Sequence, residues 1–323
     1  MEFNASAANL LNIKVDSLIL LTGSQLQNTA KLVDDSLNGA IQALIASGDF
    51  SGKLATSCIL HTPEKTSKRI ILIGTDGAST TQKMIKVIEA AASLLSKTPS
   101  KKALWIGGGL NDDHQWQASI MARSVQTSSY KYNGSSKPSK PKKLQSVTYW
   151  CAKKSQALSA AKGLAYGCAV GNGMNAARGL ADLPANICTP NYLASQAKKL
   201  GKGQAKVTTK ILKEADMKVL GMGSLLSVSA GSVEPGNLII MSYQGAPKTV
   251  KPVVLVGKAV TFDSGGISLK AGRGMDEMKF DMCGGASVFG VISALIETQL
   301  PVNVVGIVPA VENMPAGNAT KPG

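Results

Sequence analysis

Aromatic residues, histidines and clustered cysteines are all scarce in this chain of 323 residues. Phe, Trp and Tyr make up only 4% of it beside plentiful Gly and Ala, which suits an α/β protein with tight strand–helix junctions better than a β-sandwich. The two histidines, His61 and His114, stand in no HExxH, so a histidine-based zinc site or hydrolase finds no support. One sits at an expected strand end and the other near an expected helix start, where they read as surface or capping residues. Cys58, Cys151, Cys168, Cys188 and Cys283 are odd in number and free of CxxC spacing. That pattern predicts a reduced, cytoplasmic chain whose cysteines are small buried apolar groups rather than nucleophiles. No P-loop and no GxSxG occurs. No apolar run reaches bilayer length, and Met1-Glu2-Phe3-Asn4 lacks the basic and apolar regions of a secretory signal, so no membrane association is expected.

What is present is enough for real cores. At 44% hydrophobic, a chain this long supports one large or two ordinary domains. Its net charge is +15, and part of the excess lies in Lys137, Lys140, Lys142 and Lys143, a Pro/Ser/Lys stretch. A solvated loop accounts for such a run. An electrostatic patch for DNA or another polyanion accounts for it too, although no aromatic residues interleave the lysines for base stacking. Nucleic-acid binding, as a second or main role, is therefore the alternative function to be weighed.

Strand and helix signals alternate along the first half. Residues 13–21, 53–61, 69–74, 103–107 and 146–151 read as strands; 28–45, 84–95 and 114–125 carry apolar residues at helical spacing. A long Ala-rich helical stretch follows over 155–181, then Pro184, Pro190 and a fresh helix over 192–200. Further strands are expected at 206–212, 238–243, 253–258 and 302–308, with helices at 224–229 and 283–295. The expectation is an α/β chain of two domains, each a mixed, largely parallel sheet flanked by helices: 1–152, a helical linker 153–190, and 191–323. Gly171-Asn172-Gly173-Met174-Asn175-Ala176 fits the dinucleotide pattern GxGxxG/A, but helix rather than strand precedes it, so close helix packing explains the glycines better.

The segment 256–285, VGKAVTFDSGGISLKAGRGMDEMKFDMCGG, concentrates polar groups after the apolar strand VVLV. Open α/β sheets place ligands at the carboxyl ends of strands, and Lys258, Asp263, Lys270 and Asp281 arrive there in quick order. Gly265-Gly266 and Gly284-Gly285 would let backbone approach a ligand closely. Each residue also has a plainer use. Asp263-Ser264-Gly265-Gly266 is good turn chemistry, Asp281 can cap the helix behind it, and the lysines can be solvated. Spacing alone leaves these readings open, and it does not rank Asp281 above Asp276 or Glu277.

This segment resembles the signature of the cytosolic leucyl aminopeptidases, a family of two-metal peptidases. Their pattern GK-x-x-x-x-D-S-G-G-x-S-x-K, followed by M-D-E-M-K-x-D-M, matches here with Ala259 in place of the commoner Gly. The stretches from Asn175 to Arg178, Asn186 to Pro190, Gly221 to Leu226 and Glu312 to Gly317 resemble the same family. By position, the resemblance implies Lys258, Asp263 and Asp281 as metal ligands and Lys270 as the catalytic lysine. It implies two divalent ions (Mn²⁺ or Zn²⁺, or else Mg²⁺), peptide substrates with a free and preferably apolar N-terminal residue, and a homo-hexamer. It also implies that an Asn-Thr-Asp-Ala-Glu-Gly-Arg segment, carrying an aspartate, a bridging glutamate and an arginine of the site, would follow the last residue. The second domain is therefore expected to be incomplete at its C-terminus.

Charge balance gives that expectation physical content. A lysine ligates a metal only when neutral, which costs about 4.6 kcal/mol from a reference pKa of ~10.4 at pH 7. A well-formed site supplies roughly 10–16 kcal/mol. Two divalent ions ~3.5–4 Å apart repel by roughly 18 kcal/mol at an effective dielectric of ~20. Asp263 and Asp281 bring two negative charges against four positive ones, so this chain by itself is expected to bind one ion weakly, or none, and to be inactive.

Overall fold

The computed structural model describes residues 1–62, 67–132, 134 and 144–323. Lys137, Lys140, Lys142 and Lys143 lie outside them, and so does any structural reading of that basic stretch. The chain divides into two compact units.

The first unit is built on a six-stranded sheet. Its strands are β1 (Glu2–Ser6), β2 (Val15–Thr22), β3 (Ser57–His61), β4 (Ser67–Gly74), β5 (Lys102–Ile106) and β6 (Ser146–Trp150), in the order β1-β6-β5-β2-β4-β3. All neighbours are parallel except β3 and β4. The apolar runs of β2 and β4 follow from burial on both faces. Side chains alternate across a strand, so Ile19, Leu21, Ile71 and Ile73 join one core with α3 (Thr81–Lys97) and α4 (His114–Ser128). Leu18, Leu20, Ile70 and Leu72 join the other with α1 (Asn28–Ser36) and α2 (Ala40–Ser47).

The single helix expected over 28–45 is two. Asn38 and Gly39 take positive φ, and the Asp34 carboxylate accepts from the Ile41 and Gln42 N–H groups at 2.7 and 3.2 Å. That carboxylate caps α2 in place of a continued helix. His114 also differs from expectation: it is 6% exposed, wedged edge-on against Tyr149. A helix start that packs against an interior strand buries what sequence position alone suggests is solvated.

The helix α5 (Lys154–Ala181) is assigned to the first unit as far as Gly171 and to the second from Asn172. Its glycines serve packing. A Cβ on Gly163 or Gly167 would lie 2.0 Å from a backbone oxygen of α4. One on Gly173 would lie 2.4 Å from the backbone oxygen of Gly290. This accounts for the GxGxxG-like run without a nucleotide at that place.

The second unit carries β7 (Val207–Leu212), β8 (Asn237–Gln244), β9 (Val253–Val256), β10 (Ala259–Asp263) and β11 (Asn303–Asn313). The order is β10-β11-β8-β7, with β9 on β11 as well. Both β9 and β10 run parallel to β11, while β8 is antiparallel to β11 and β7, so this sheet is mixed in equal shares. Helices α6 (Pro190–Gly201) and α9 (Cys283–Thr298) share one core with β8 and β11 through Leu193, Ala197, Phe289, Ile292, Met241 and Val308. Short helices α7 (Glu214–Val219) and α8 (Gly223–Ser229) lead into β8. Continuous helix over Met275–Thr298 is long and apolar enough to cross a bilayer, a length not evident in the letters because a 3-10 segment, Met275–Met282, joins α9. Within it Ala286, Val288, Phe289 and Ile292 are buried against the sheet, and a core helix passes the same test.

Candidate active site

The signature segment is set out along one edge of β11. Residues 253–256 pair with 304–307, and 259 and 260 with 310 and 311, at constant offset. Gly257 and Lys258 interrupt one extended run, which the sequence shows as a strand ending at Lys258. Val260, Thr261 and Phe262, β-branched and aromatic, carry it on as β10. Asp263 therefore stands at the carboxyl end of a strand, one strand further along than the sequence suggests. Between Val260 and Asp263 the register slips by one residue, so that Asp263 lies opposite Asn313.

Two ion pairs organise the four residues. Lys258 Nζ lies 2.8 Å from Asp281 Oδ2, and Lys270 Nζ lies 2.7 Å from Asp263 Oδ2. The carboxylates are the sheltered partners, 21% and 15% exposed against 61% for Lys258 and 38% for Lys270. Asp281 makes no cap: α9 has Met282 at its N-cap, and no side-chain cap bond forms. Asp276 and Glu277 are exposed on the same 3-10 segment, which separates them from Asp281 where spacing did not. Although Asp281 Oδ2 is charge-paired, it is a buried atom without hydrogen-bond geometry to any partner.

Asp263 is more fully held. Its Oδ1 accepts from the Gly265 N–H at 3.0 Å and the Asn313 amide at 2.8 Å. Burial works against its ionisation, but the Lys270 hydrogen bond, then the Gly265 N–H and Asn313, hold its carboxyl below the usual carboxylate range. Lys270 Nζ also lies 3.0 Å from Met278 Sδ. Asn313 was not singled out from the sequence. Its backbone oxygen accepts from Ser264 N and Oγ at 2.9 and 2.8 Å, so one residue fixes both the turn and the aspartate. Its place in the segment from Glu312 to Gly317 was the available signal.

The glycine pairs divide their labour. Gly265 and Gly266 take φ of +88° and +69°, which the turn after Asp263 requires. Gly284 and Gly285 instead let α9 approach the strand: the Gly285 N–H donates to Lys258 O at 2.7 Å, and a Cβ there would sit 2.7 Å from that of Ala259. At nearby Cys283, burial, then Asp182 and Asp281, push the thiol pKa up, which disfavours the thiolate that a nucleophile requires.

The donor set suits a cation in part. An orphaned carboxylate oxygen beside a lysine can exchange its ammonium partner for a metal once the lysine loses a proton. Among the described residues, however, no three His, Cys, Asp or Glu side chains group as a metal cluster. Lys258, Asp263 and Asp281 thus offer donor atoms, distributed over two ion pairs.

Residues 175–323 match the cytosol aminopeptidase family, catalytic domain, and residues 18–138 match that family's N-terminal domain. The whole chain aligns with a probable cytosol aminopeptidase of Alcanivorax borkumensis at 39% identity, covering 66% of that protein. It aligns with the cytosol aminopeptidase of Pseudomonas aeruginosa at 38% identity, covering 67%. A tomato leucine aminopeptidase variant superposes on all of the chain with a TM-score of 0.84 at 28% identity, over 65% of its own length. The bottromycin maturation enzyme in complex with Mn superposes on 94% of the chain with a TM-score of 0.71 at 25% identity, over 60% of its length. The chain spans about two thirds of the length of these relatives. Both domain matches and the full-length alignments place it in one group, and the chain belongs to the cytosol aminopeptidase family.

Proposed function

We propose that this chain carries the N-terminal domain and part of the catalytic centre of a metal-dependent aminopeptidase that releases apolar, leucine-type residues from the free N-terminus of peptides in the cytoplasm. The observation that carries the reading is the pairing of all four signature side chains into two ion pairs around β10, in the segment that matches the catalytic domain. Lys258, Asp263 and Asp281 would hold metal, and the solved relative with Mn supports manganese as the first ion to try. When bound, divalent ions supply a Lewis acid for the peptide carbonyl and a water of lowered pKa.

The chain's own residues do the rest. Asp263 and Asp281 bring negative charge to a sheltered strand end, where it counts for more than in bulk water. Asn313 and the Gly265 N–H fix the Asp263 carboxylate in one orientation. Lys270, tethered by Asp263 and Met278, presents a positive charge to the oxyanion that develops on the scissile carbonyl. Assembly as a hexamer belongs to the same proposal and is read by light scattering.

Titration of the 323-residue chain with Mn²⁺, followed by electron paramagnetic resonance, should show at most one weakly held ion. The chain extended with the C-terminal third of the Alcanivorax borkumensis relative should hold two and hydrolyse leucine p-nitroanilide. Undiminished hydrolysis after chelation, or two tight ions in the chain as it stands, contradicts the proposal.

A further inference from the structure

In the first unit the ladders of β2 and β5 part. They pair from Ser17–Ala103 to Ile19–Trp105, yet β2 runs on to Thr22 and β5 to Ile106. From β2 the sheet continues to β4 on one side and to β5 on the other, so the parting lies where the order of the parallel strands reverses. Open α/β sheets take their ligands at such a point. A cavity of about 520 Å³ opens there, bounded by the strand end 20–23, the turn 107–109, Asp76 and the first turn of α1. Its size falls within the ~300–1,000 Å³ of small-molecule sites.

The walls say what fits. Thr22, Ser24, Gln25, Asn28, Thr29 and Thr75 make them polar, which disfavours a lipid or an apolar side chain. Asp76 is the one charged side chain among the lining residues, so a ligand here is held by backbone N–H groups and neutral polar side chains rather than by lysine or arginine. Its Oδ2 accepts from the Ser24 N–H at 2.9 Å, which holds the carboxylate at the rim as an acceptor for hydroxyl groups. Opposite it, α1 begins at Gln27, whose side chain makes no cap bond, so Asn28 and Thr29 bring uncapped first-turn N–H groups to the cavity. The frame is rigid. A Cβ on Gly107 would lie 2.5 Å from the Tyr149 ring, and one on Gly109 would lie 2.5 Å from Leu21 O.

We propose that this cavity binds a nucleotide, with phosphate against the first turn of α1 and ribose hydroxyls on Asp76. The site is built from first-unit residues alone and does not depend on peptidase activity. Isothermal titration of the chain with ADP, adenosine and inorganic pyrophosphate at one ionic strength tests it. One saturable ADP site per chain is expected, with adenosine and pyrophosphate each weaker by about tenfold or more. Asp76→Asn keeps an oxygen for Ser24 but loses the charged acceptor, so ADP should bind about tenfold more weakly while pyrophosphate is unchanged. Thr29→Tyr, which fills the cavity, should abolish ADP binding while the melting temperature stays close to that of the parent. No saturable ADP binding up to millimolar concentration, pyrophosphate binding as tightly as ADP, or ADP binding unchanged by Asp76→Asn each overturns the proposal.

Discussion

The two sheets end differently at the carboxyl side of their parallel strands. In the first unit, β2 and β5 separate around a cavity whose lining holds a single charge, Asp76. In the second, four charged residues gather around β10 and neutralise one another in pairs. The same architectural position can thus be kept open by neutral backbone or crowded by countercharges. Which occurs depends on what the loops deliver: glycines and amides after β5 and β2, lysines and aspartates around β10. The charged cluster closes on itself in ion pairs, because an unpaired sheltered carboxylate is costly.

If that contrast is right, changes at the second edge should cost activity and changes under the first should cost stability. The largest effect is expected from Lys258→Ala in the extended protein, which should bring leucine anilide hydrolysis to background. Because Lys258 is largely exposed, loss of its pairing with the sheltered Asp281 carboxylate should lower stability to urea only modestly. Asn313→Ala comes next. It removes one of the two donors to Asp263 Oδ1, leaving the Gly265 N–H, and under the proposed role of Asp263 should lower kcat/KM by about 10–100-fold, the range for partners that orient metal ligands. An unchanged rate would remove Asn313 from the site.

At the first edge, Tyr149→Phe should leave peptidase kinetics untouched and cost about 1 kcal/mol in urea unfolding. Its hydroxyl contacts His114 and Gln117 only at 3.4 and 3.5 Å. The smallest effect concerns pH. Burial lowers the His114 pKa below its ordinary value of 6.5, and Asp112 and Asp113 only partly offset this. A base depressed in the folded state binds fewer protons than in the unfolded chain, so its stability is complete above pH 6.5 and lost as pH falls from there through the folded value. The urea midpoint should decline over that window, and His114→Gln should flatten the decline.

Much of this was legible beforehand, for identifiable reasons. The runs in β2, β4, β5 and β8 read as strands because both their faces are buried, α3 and α4 read as helices from their apolar spacing, and α5 from its alanine content. The strand β1 was not read: only Phe3 and Ala5 carry its alternation, and it owes its conformation largely to pairing with β6. In the same way β10 was taken for loop, since the polar signature hides the short run from Val260 to Phe262. Asp281 could not be told from Asp276 and Glu277 by spacing, because a 3-10 segment turns its side chains with a period that letters do not reveal. The burial of His114 likewise depends on Tyr149 and Cys151, which come more than thirty residues later.

The slipped residue between Val260 and Asp263 bears on heredity as well as on geometry. Lys258 and Asp263 are five positions apart, an odd number, which along an uninterrupted strand would send them to opposite faces. One surplus residue reverses the face taken by the residues beyond it, and such bulges recur beside active sites. Exchanges of one letter for another at Thr261 or Phe262 then perturb packing by degrees, whereas loss or gain of a single codon there swaps inside for outside at once. Over evolutionary time such a stretch should tolerate spelling changes and forbid changes of length.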